Sequence, residues 1–235
     1  MGGYKVAIVG AGRMGSLLAH RIPAGFRKVI IGRERTGAAQ VADEVGGLAS
    51  DQISSVRGCQ VVLLAIPGPA VVPVIREMAP HLADGALVVN MAPDVFTGDL
   101  AADFPKVRFA AAKVLGHARE LHLGARGVVV LDHLDEDAED RLHLLLEPLG
   151  PVIQGSETMV QDAGAAVVSV MQEAQSDLLA RLTALGLDRH LAQAALAAAA
   201  PGVLRAMAGG DEAIPMSGSI DRPNAGAAPE ARASH

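Results

Sequence analysis

The feature that most constrains this chain is a glycine pattern close to its first residue, in the segment VAIVGAGRMG at 6–15. Its three glycines are spaced as G-x-G-x-x-G, directly after a β-branched apolar run and directly before a helical pattern. In such a context the first glycine permits a tight turn, the second lets the backbone approach a pyrophosphate, and the third lets helix and strand pack closely. The pattern predicts a dinucleotide site at the N-terminus of the helix. Its expected cofactor-binding residues are Gly10, Gly12, Arg13, Met14 and Gly15.

Strand-like apolar runs alternate with helical patterns through the first two-thirds of the chain. Several runs are continuous Val/Ile/Leu segments, as expected for strands that are covered on both faces. The alternation predicts an α/β fold class with an N-terminal, doubly wound parallel Rossmann sheet. The predicted strands are 5–9, 28–31, 61–66, 86–90, 107–112, 127–131 and 151–154. The predicted helices are 13–22, 36–45, 69–81 and 135–147, and Asp135 is expected to cap the last of these.

After about residue 155 the pattern becomes entirely helical, with Ala/Leu-rich stretches near 158–185 and 188–208. Their many alanines permit close helix approach, which favours a small all-helical dimerisation domain; a hairpin within one monomer explains the pattern comparably well. The predicted organisation is an NADP-binding Rossmann domain at 1–155, a helical dimerisation and substrate domain at 156–210, and a mobile tail at 211–235.

Local signals mark the ends of the two long helices. Thr158 with Gln161 three residues later is typical of a capping box that opens the first helix. The break at Gly186-Leu187-Asp188 is expected to end that helix and cap the next one. Pro201 is expected to kink or interrupt the second helix, because proline lacks the N–H that the helix needs.

Composition and charge exclude several classes of protein. The formal net charge is −6 and no Lys/Arg run is present, so nucleic-acid binding is not expected. The single cysteine, Cys59, excludes an internal disulfide and a multi-cysteine metal site, and its place before an apolar run predicts a buried thiol. No uncharged apolar stretch is long enough to cross a membrane, and the strand at the N-terminus leaves no room for a signal peptide, so a cytoplasmic protein is expected.

The end of the second predicted strand bears on the choice of dinucleotide. NAD sites usually place an Asp or Glu there to bind the ribose diol. Here Gly32 stands at the acidic position and Arg33 follows it. A guanidinium without a competing carboxylate suits a 2′-phosphate, so the pattern favours NADP, although Glu34 could turn inward to serve NAD instead.

Two later loops are expected to flank the nicotinamide, because carboxyl ends of parallel strands line the ligand crevice. They follow the strands at 61–66 and 86–90. Two prolines around a glycine stiffen the first of these loops, although an ordinary strand-to-helix turn with Pro69 at the helix start explains that segment too. The expected cofactor-binding residues here are Ala65, Ile66, Pro67 and Asn90, in addition to Gly32 and Arg33.

VAIVGAGRMG, the IGR that follows the second strand, LLAIP before a helix and the two-helix C-terminal part together resemble pyrroline-5-carboxylate reductase. The imine reductases and β-hydroxyacid dehydrogenases are similar in plan. The resemblance covers nearly the whole chain in architecture, with the N-terminal motif as its specific part. It implies an obligate dimer, or a larger assembly, in which helices of one subunit complete the substrate site of another.

The chain departs from the pattern of the proline-forming reductases at four places. Their Lys-Pro pair is replaced by PGP at 67–69, and their Met-Pro-Asn segment by AAK at 111–113. Their Ser-Gly-Ser-Gly-Pro helix start is GAAVV at 164–168, and their Pro-Gly-Gly-Thr-Thr is at best echoed at 217–219 or 222–226. The apparatus that binds a substrate carboxylate is therefore missing, and a different substrate is expected on the same scaffold.

Hydride transfer to C=N or C=O requires a proton on the heteroatom, so an acid or a water chain is expected. Asp162, expected in the first turn of the long helix, is the first candidate, because related imine reductases place a proton-handling side chain there; a carboxylate that complements the helix dipole is the alternative. Lys113 at the end of a strand is the second candidate, for polarising a carbonyl or binding a carboxylate, with an exposed loop lysine as the alternative. His117 and His122 are better explained as solvated loop histidines, and no metal site is predicted.

The leading hypothesis is an NADPH-dependent reductase of a small, cyclic imine or a related C=N or C=C compound. Reduction of a small oxo acid, or hydride exchange between NADP and a deazaflavin, is the second hypothesis. A non-catalytic NADPH-binding sensor is the third, and it gains weight from the missing catalytic signatures. The expected partners are a small-molecule substrate and a second copy of the chain, joined through the C-terminal helices.

Overall fold

The computed structural model describes residues 4–209, apart from the side chains of Glu136 and of 205–209. Its contacts divide the chain between Val167 and Val168 into two units, and each is described by itself. The division falls inside one long helix, and the domain boundary predicted after residue 155 stays a prediction. The predicted tail at 211–235 lies outside the described residues.

The first unit is built on an eight-stranded sheet with the order β3-β2-β1-β4-β5-β6-β7-β8. The strands are β1 (Lys5–Val9), β2 (Arg27–Ile31), β3 (Leu48–Ser50), β4 (Val61–Leu64), β5 (Leu87–Asn90), β6 (Arg108–Leu115), β7 (Val128–Asp132) and β8 (Val152–Gln154). The helices are α1 (Arg13–Arg21), α2 (Arg35–Val45), α3 (Gly68–Met78), α4 (Thr97–Asp103), α5 (Ala118–His122), α6 (Glu136–Leu146), α7 (Glu157–Ala184) and α8 (Arg189–Gly209). The predicted α/β Rossmann class is confirmed.

Two strands, β7 and β8, run opposite to the direction predicted for the sheet. β7 runs antiparallel to β6, with Lys113 opposite Val130, whereas the other neighbouring pairs are parallel. After β6 the chain turns back through the five-residue helix α5, and β7 begins at the end of the sheet where β6 stops. A continuous Val/Ile run does not reveal strand direction, because both faces are buried in either case. The short elements β3, α4 and α5 were not predicted, since each has seven residues or fewer and carries little periodicity.

Apolar side chains alternate between two cores, one on each face of the sheet. In β1, Val6 and Ile8 belong to one core, whereas Ala7 and Val9 belong to the other. Each fully buried Leu, Ile or Val side chain contributes roughly 1.5–3 kcal/mol. The first core includes Leu142, Leu145 and Leu146 of α6 and Leu149 just after it. The predicted cap of that helix is confirmed, because the Asp135 carboxylate accepts a hydrogen bond from the Ala138 N–H at 3.0 Å.

The two long helices begin and end close to the predicted positions, but the cap of α7 differs. The Ser156 hydroxyl, not Thr158, accepts the Met159 N–H, at 3.3 Å. The predicted capping box is therefore wrong by two residues, because α7 already begins at Glu157. Between α7 and α8, Gly186 has a φ of +93°, and Asp188 caps α8 by accepting the Leu191 N–H at 2.9 Å, as expected.

Helix α8 continues through Pro201 to Gly209, so the predicted interruption does not occur. None of the helices within residues 4–209 is both long enough and apolar enough to span a membrane. Cys59 is fully buried, as predicted, and burial raises the pKa of its thiol.

Candidate functional site

The glycine loop lies between the ends of β1 and β4, where strand order reverses in the sheet. Gly10 has a φ of +110°, and a Cβ on it would lie 2.3 Å from the carbonyl oxygen of Ala65. A Cβ on Gly15 would lie 1.6 Å from the Gly10 carbonyl oxygen. Both positions therefore require glycine, because a side chain at either one would push α1 or the Ala65 loop away from the sheet.

Gly12 differs from the other two glycines because no protein atom restricts it. It caps α1 with an extended φ of −78° and ψ of −168°, and a Cβ built on it meets no atom within 4 Å. A glycine that neither strain nor packing requires is explained by a ligand that must come close to the backbone. The first-turn N–H groups of α1 are directed toward the same place, and they suit the pyrophosphate of a dinucleotide.

The end of β2 forms the second part of the crevice. The Gly32 N–H donates to the Ser50 carbonyl oxygen at 3.0 Å, and a Cβ on Gly32 would lie 3.2 Å from the Ala11 Cβ. Arg33 and Arg35 are exposed beside it, and neither takes part in a salt bridge within the described part of the chain. Glu34 is the N-cap residue at the start of α2. Two free guanidinium groups at this end suit a phosphorylated ribose.

The loops that follow β4 and β5 continue the crevice at its other end. Asn90 is fully buried, and its side-chain amide donates to the Val95 carbonyl at 2.8 Å and to the Thr97 hydroxyl at 3.0 Å. Its side-chain oxygen accepts the Ala92 N–H at 3.1 Å. The Asn90 side chain therefore shapes the 91–97 loop, and the cofactor contact that the sequence predicts for Asn90 stays a prediction.

Lys113 is not where the sequence placed it. The prediction ended the strand at residue 112 and put Lys113 at the crevice edge, but β6 continues to Leu115. Its ammonium group is buried, donates to the carbonyl oxygens of Ala92 and Val95, and lies 3.1 Å from a Glu157 carboxylate oxygen. These three partners use its three N–H bonds in this structure, so the predicted place of Lys113 at the crevice edge is wrong, whereas its role in binding or polarising a substrate stays a prediction.

Glu157 completes this buried cluster from the first residue of α7. Its two carboxylate oxygens accept the Thr97 N–H at 2.7 Å and the Thr97 hydroxyl at 2.6 Å. The Glu157 N–H in turn donates to Asp132 at 3.0 Å. His133, whose φ of +57° is unusual for a residue with a side chain, lies 3.9 Å from the same carboxylate. The cluster ties the start of α7 to the ends of β5, β6 and β7.

Burial lowers the pKa of Lys113 from its usual value, and the nearby Glu157 carboxylate opposes this shift. The ion pair therefore holds a charge in a place that would otherwise favour the neutral amine. The sequence did not reveal Glu157 as a partner, because the two residues are 44 positions apart in the chain. The available signal was an acidic residue directly after Ser156, at the first position of a helix.

Asp162 lies in the second turn of α7, not the first, and its side chain is exposed. Its neighbour Gln161 donates a hydrogen bond to the Pro93 carbonyl oxygen at 2.7 Å, which brings this turn next to the loop after β5. His122 lies beside the start of α1, where its ring nitrogen is 2.8 Å from the Arg13 carbonyl oxygen. The described residues include no group of three or more His, Cys, Asp or Glu side chains that could hold a metal ion.

Comparison with known proteins gives a partial family match and many structural ones. Residues 5–94, from β1 to just past β5, match the family model described as NADP oxidoreductase, coenzyme F420-dependent. The matched range includes the glycine loop, Gly32, Arg33, the loop after β4 and the first residues of the loop after β5. None of the curated proteins matches the chain.

Among solved structures, a pyrroline-5-carboxylate reductase from Coxiella burnetii has a TM-score of 0.69 at 18% identity, over 88% of this chain and 81% of its own. The chain has the fold of that reductase. Pyrroline carboxylate reductase from Plasmodium falciparum, solved with NADP bound, has a TM-score of 0.61 at 16% identity over 90% and 81% of the two chains. An imine reductase variant from Myxococcus stipitatus, in complex with NAD+, has a TM-score of 0.61 at 15% identity over 88% and 74%. The resemblance found in the sequence is confirmed at the level of the fold.

The Lys113–Glu157 pair predicts a specific pattern of stability. Glu157→Gln keeps an acceptor for Thr97 but leaves the buried ammonium without a counter-charge, so we expect a loss of about 3–5 kcal/mol in the free energy of unfolding. The double variant Lys113→Met/Glu157→Gln removes both charges and should recover most of that loss. Urea unfolding followed by circular dichroism measures both variants, and additive losses in the double variant would contradict the ion pair.

The same variant has a predicted pH dependence. Without Glu157, burial lowers the pKa of Lys113 in the folded state, whereas the unfolded chain keeps the ordinary lysine pKa. Between the two pKa values the unfolded state binds more protons, so the stability of Glu157→Gln should rise as the pH rises through that window. The gain from neutral to alkaline pH should be larger than in the unmodified protein, and an equal gain in both would contradict this account.

Proposed function

We propose that this chain is a cytoplasmic, NADPH-dependent reductase that transfers hydride to a small, cyclic imine or a related C=N or C=C compound. The observation that carries the proposal is the glycine loop, in which Gly10 and Gly15 are required by packing while Gly12 is required by neither packing nor strain. The match of residues 5–94 to an NADP oxidoreductase family supports the same cofactor. When bound, NADPH supplies the hydride; the protein supplies binding, orientation and the proton.

The choice of NADPH over NADH rests on the end of β2. Gly32 leaves no carboxylate at the position that would bind a ribose diol, and Arg33 and Arg35 present unpaired guanidinium groups. We infer that Arg33 contacts the 2′-phosphate. Glu34 is the exposed N-cap residue of α2, and its side chain makes no capping hydrogen bond.

A second candidate function is favoured by the family match itself. The model that fits residues 5–94 describes proteins that depend on coenzyme F420, a deazaflavin, so hydride exchange between NADP and a deazaflavin is the alternative activity. Loss of NADPH absorbance during incubation with cyclic imines, small oxo acids and a deazaflavin separates these activities. We expect turnover with an imine; turnover with a deazaflavin or an oxo acid alone would assign the corresponding alternative, and tight NADPH binding without any turnover would favour a sensor.

We also propose that the second unit forms the dimer contact. Between α7 and α8 lies an apolar groove of about 780 Å³, bordered by residues such as Met171, Leu178, Leu196 and Leu204. Exposed apolar side chains continue along the same hairpin, and such patches are typical of subunit interfaces. Sedimentation equilibrium should give a dimer, and Leu178→Glu should shift it toward monomer. A monomeric unmodified protein would contradict this proposal.

The glycine loop provides a matched pair of variants. Gly15→Ala places a methyl group on the Gly10 carbonyl, so we expect a loss on the order of 4 kcal/mol or more in folding free energy. Gly12→Ala meets no protein atom, so it should cost no more than about 1 kcal/mol through the weaker N-cap. It should nevertheless weaken NADPH binding by more than about tenfold, measured by calorimetry. Normal NADPH affinity in Gly12→Ala would contradict the cofactor site.

The proposed 2′-phosphate contact is tested at Arg33. Arg33→Ala should raise the dissociation constant for NADPH by about ten- to a hundredfold, the loss of one charge-assisted hydrogen bond, while NADH affinity changes little. Arg33→Asp should raise it further. Arg76→Ala, which removes an exposed arginine on α3, serves as the control with the same change of charge. Equal effects of Arg33→Ala on both dinucleotides would refute the assignment.

We propose Asp162 as the residue that hands a proton to the substrate nitrogen before hydride transfer. Asp162→Asn keeps the shape of the side chain and removes its acidity, so kcat should fall by about a hundredfold or more while NADPH affinity is unchanged. Asp177→Asn, an exposed position on the same helix, is the matched control, and a full kcat in Asp162→Asn would exclude this role.

A further inference from the structure

The carboxylate of Asp94 lies directly against the backbone of Gly68. A Cβ built on Gly68 would lie 2.3 Å and 2.4 Å from the two carboxylate oxygens, so the acidic group occupies the space that any side chain at this position would fill. Gly68 is the first residue of α3, directly after the loop that follows β4, and Asp94 belongs to the loop that follows β5. The contact therefore joins the two loops that form the nicotinamide end of the crevice.

The Asp94 carboxylate carries a negative charge, and neither of the two neighbouring loops supplies a lysine or arginine to pair with it. The segments 61–68 and 87–97 contain no lysine or arginine. Lys113 lies beneath the 91–97 loop and attracts the Asp94 carboxylate electrostatically, but its three N–H bonds are used by Ala92, Val95 and Glu157. His133, the other basic group of the buried cluster, faces the carboxylates of Glu157 and Asp132 at 3.9 and 4.0 Å. Asp94 forms no salt bridge within residues 4–209, and its side chain is exposed.

We propose that Asp94 is a specificity-determining residue that selects a cationic substrate, a protonated cyclic imine without a carboxylate group. This inference rests on the proposed reductase function and adds the charge of its substrate. An iminium cation at this end of the crevice would gain a charge-assisted hydrogen bond from its N–H to Asp94. A substrate carboxylate would meet the Asp94 charge, and the buried ammonium of Lys113 has no N–H left to receive it.

The chemistry balances for such a substrate. The iminium carbon accepts a hydride, the C=N π bond becomes a lone pair on nitrogen, and the product is a neutral amine whose N–H proton was already present. NADPH is the reductant and becomes NADP+. By favouring the protonated form of the imine, Asp94 keeps the carbon electrophilic; an imine that arrives neutral would first take its proton from Asp162. Asp94 itself neither gains nor loses a proton in the step.

The test compares two cyclic amines that differ by one carboxylate, pyrrolidine and proline, in the presence of saturating NADP+. Calorimetry on the full chain should show that pyrrolidine binds more tightly than proline. Asp94→Asn, which keeps the shape of the group, should weaken pyrrolidine binding by about ten- to a hundredfold and should not weaken proline binding. Gly68→Ala, which displaces the carboxylate, should weaken pyrrolidine binding in the same direction. NADPH affinity and the melting temperature of Asp94→Asn should remain those of the unmodified protein.

Asp103→Asn, a change of the same charge on α4, is the control and should leave both amines unaffected. Unchanged pyrrolidine binding in Asp94→Asn, tighter binding of proline than of pyrrolidine, or no binding of either amine would each overturn the proposal. The rate of NADPH oxidation with 1-pyrroline separates this failure from that of the proposed function. Turnover that is insensitive to Asp94→Asn overturns the selection by charge alone, whereas no turnover with any imine overturns the reductase assignment as well.

Discussion

The contact between Gly15 and the Gly10 carbonyl decides how the whole N-terminal part of the molecule is arranged. At this distance only a hydrogen atom fits between helix α1 and the end of β1, so α1 lies directly on the sheet with its N-terminus at the point where strand order reverses. The positive φ of Gly10 then brings the turn against the Ala65 carbonyl at the end of β4. Two tight contacts made by the chain itself leave Gly12 open, and this arrangement favours a ligand phosphate over a packed side chain.

The opposite end of the crevice is organised by charge. A buried lysine on β6 and a buried glutamate at the start of α7 meet beneath the loop after β5, and the hydrogen bonds of Asn90 and Thr97 give that loop its shape. A buried pair of this kind adds little net stability compared with apolar residues of the same volume, but removing one partner is costly. Its structural effect is to tie α7 to three strand ends, next to the loop whose Pro93 carbonyl accepts a hydrogen bond from Gln161.

Much of the first unit was predictable from the sequence because its signals are local. A strand of β-branched residues, three glycines at fixed spacing and a helix stripe such as that of α6 each act within a few residues. The place of Arg33 just after the end of β2 was predictable for the same reason. The direction of β7 and the extent of β6 were not, because hydrophobic runs report burial and not the partner strand. The error at Lys113 follows from this, since three additional strand residues move the side chain from the predicted crevice edge into the interior.

The sequence by itself determined the class of fold, the glycine loop and the caps at Asp135 and Asp188. It also placed Gly32 where NAD sites usually have the acidic residue that binds the ribose diol. Each of these depends on residues that are close in the chain, where spacing alone specifies geometry. Only the tertiary structure decided that Lys113 pairs with Glu157 and that the Asp94 carboxylate rests on Gly68. Those contacts join residues 44 and 26 positions apart, and long-range pairing is set by strand order and helix packing rather than by any local pattern.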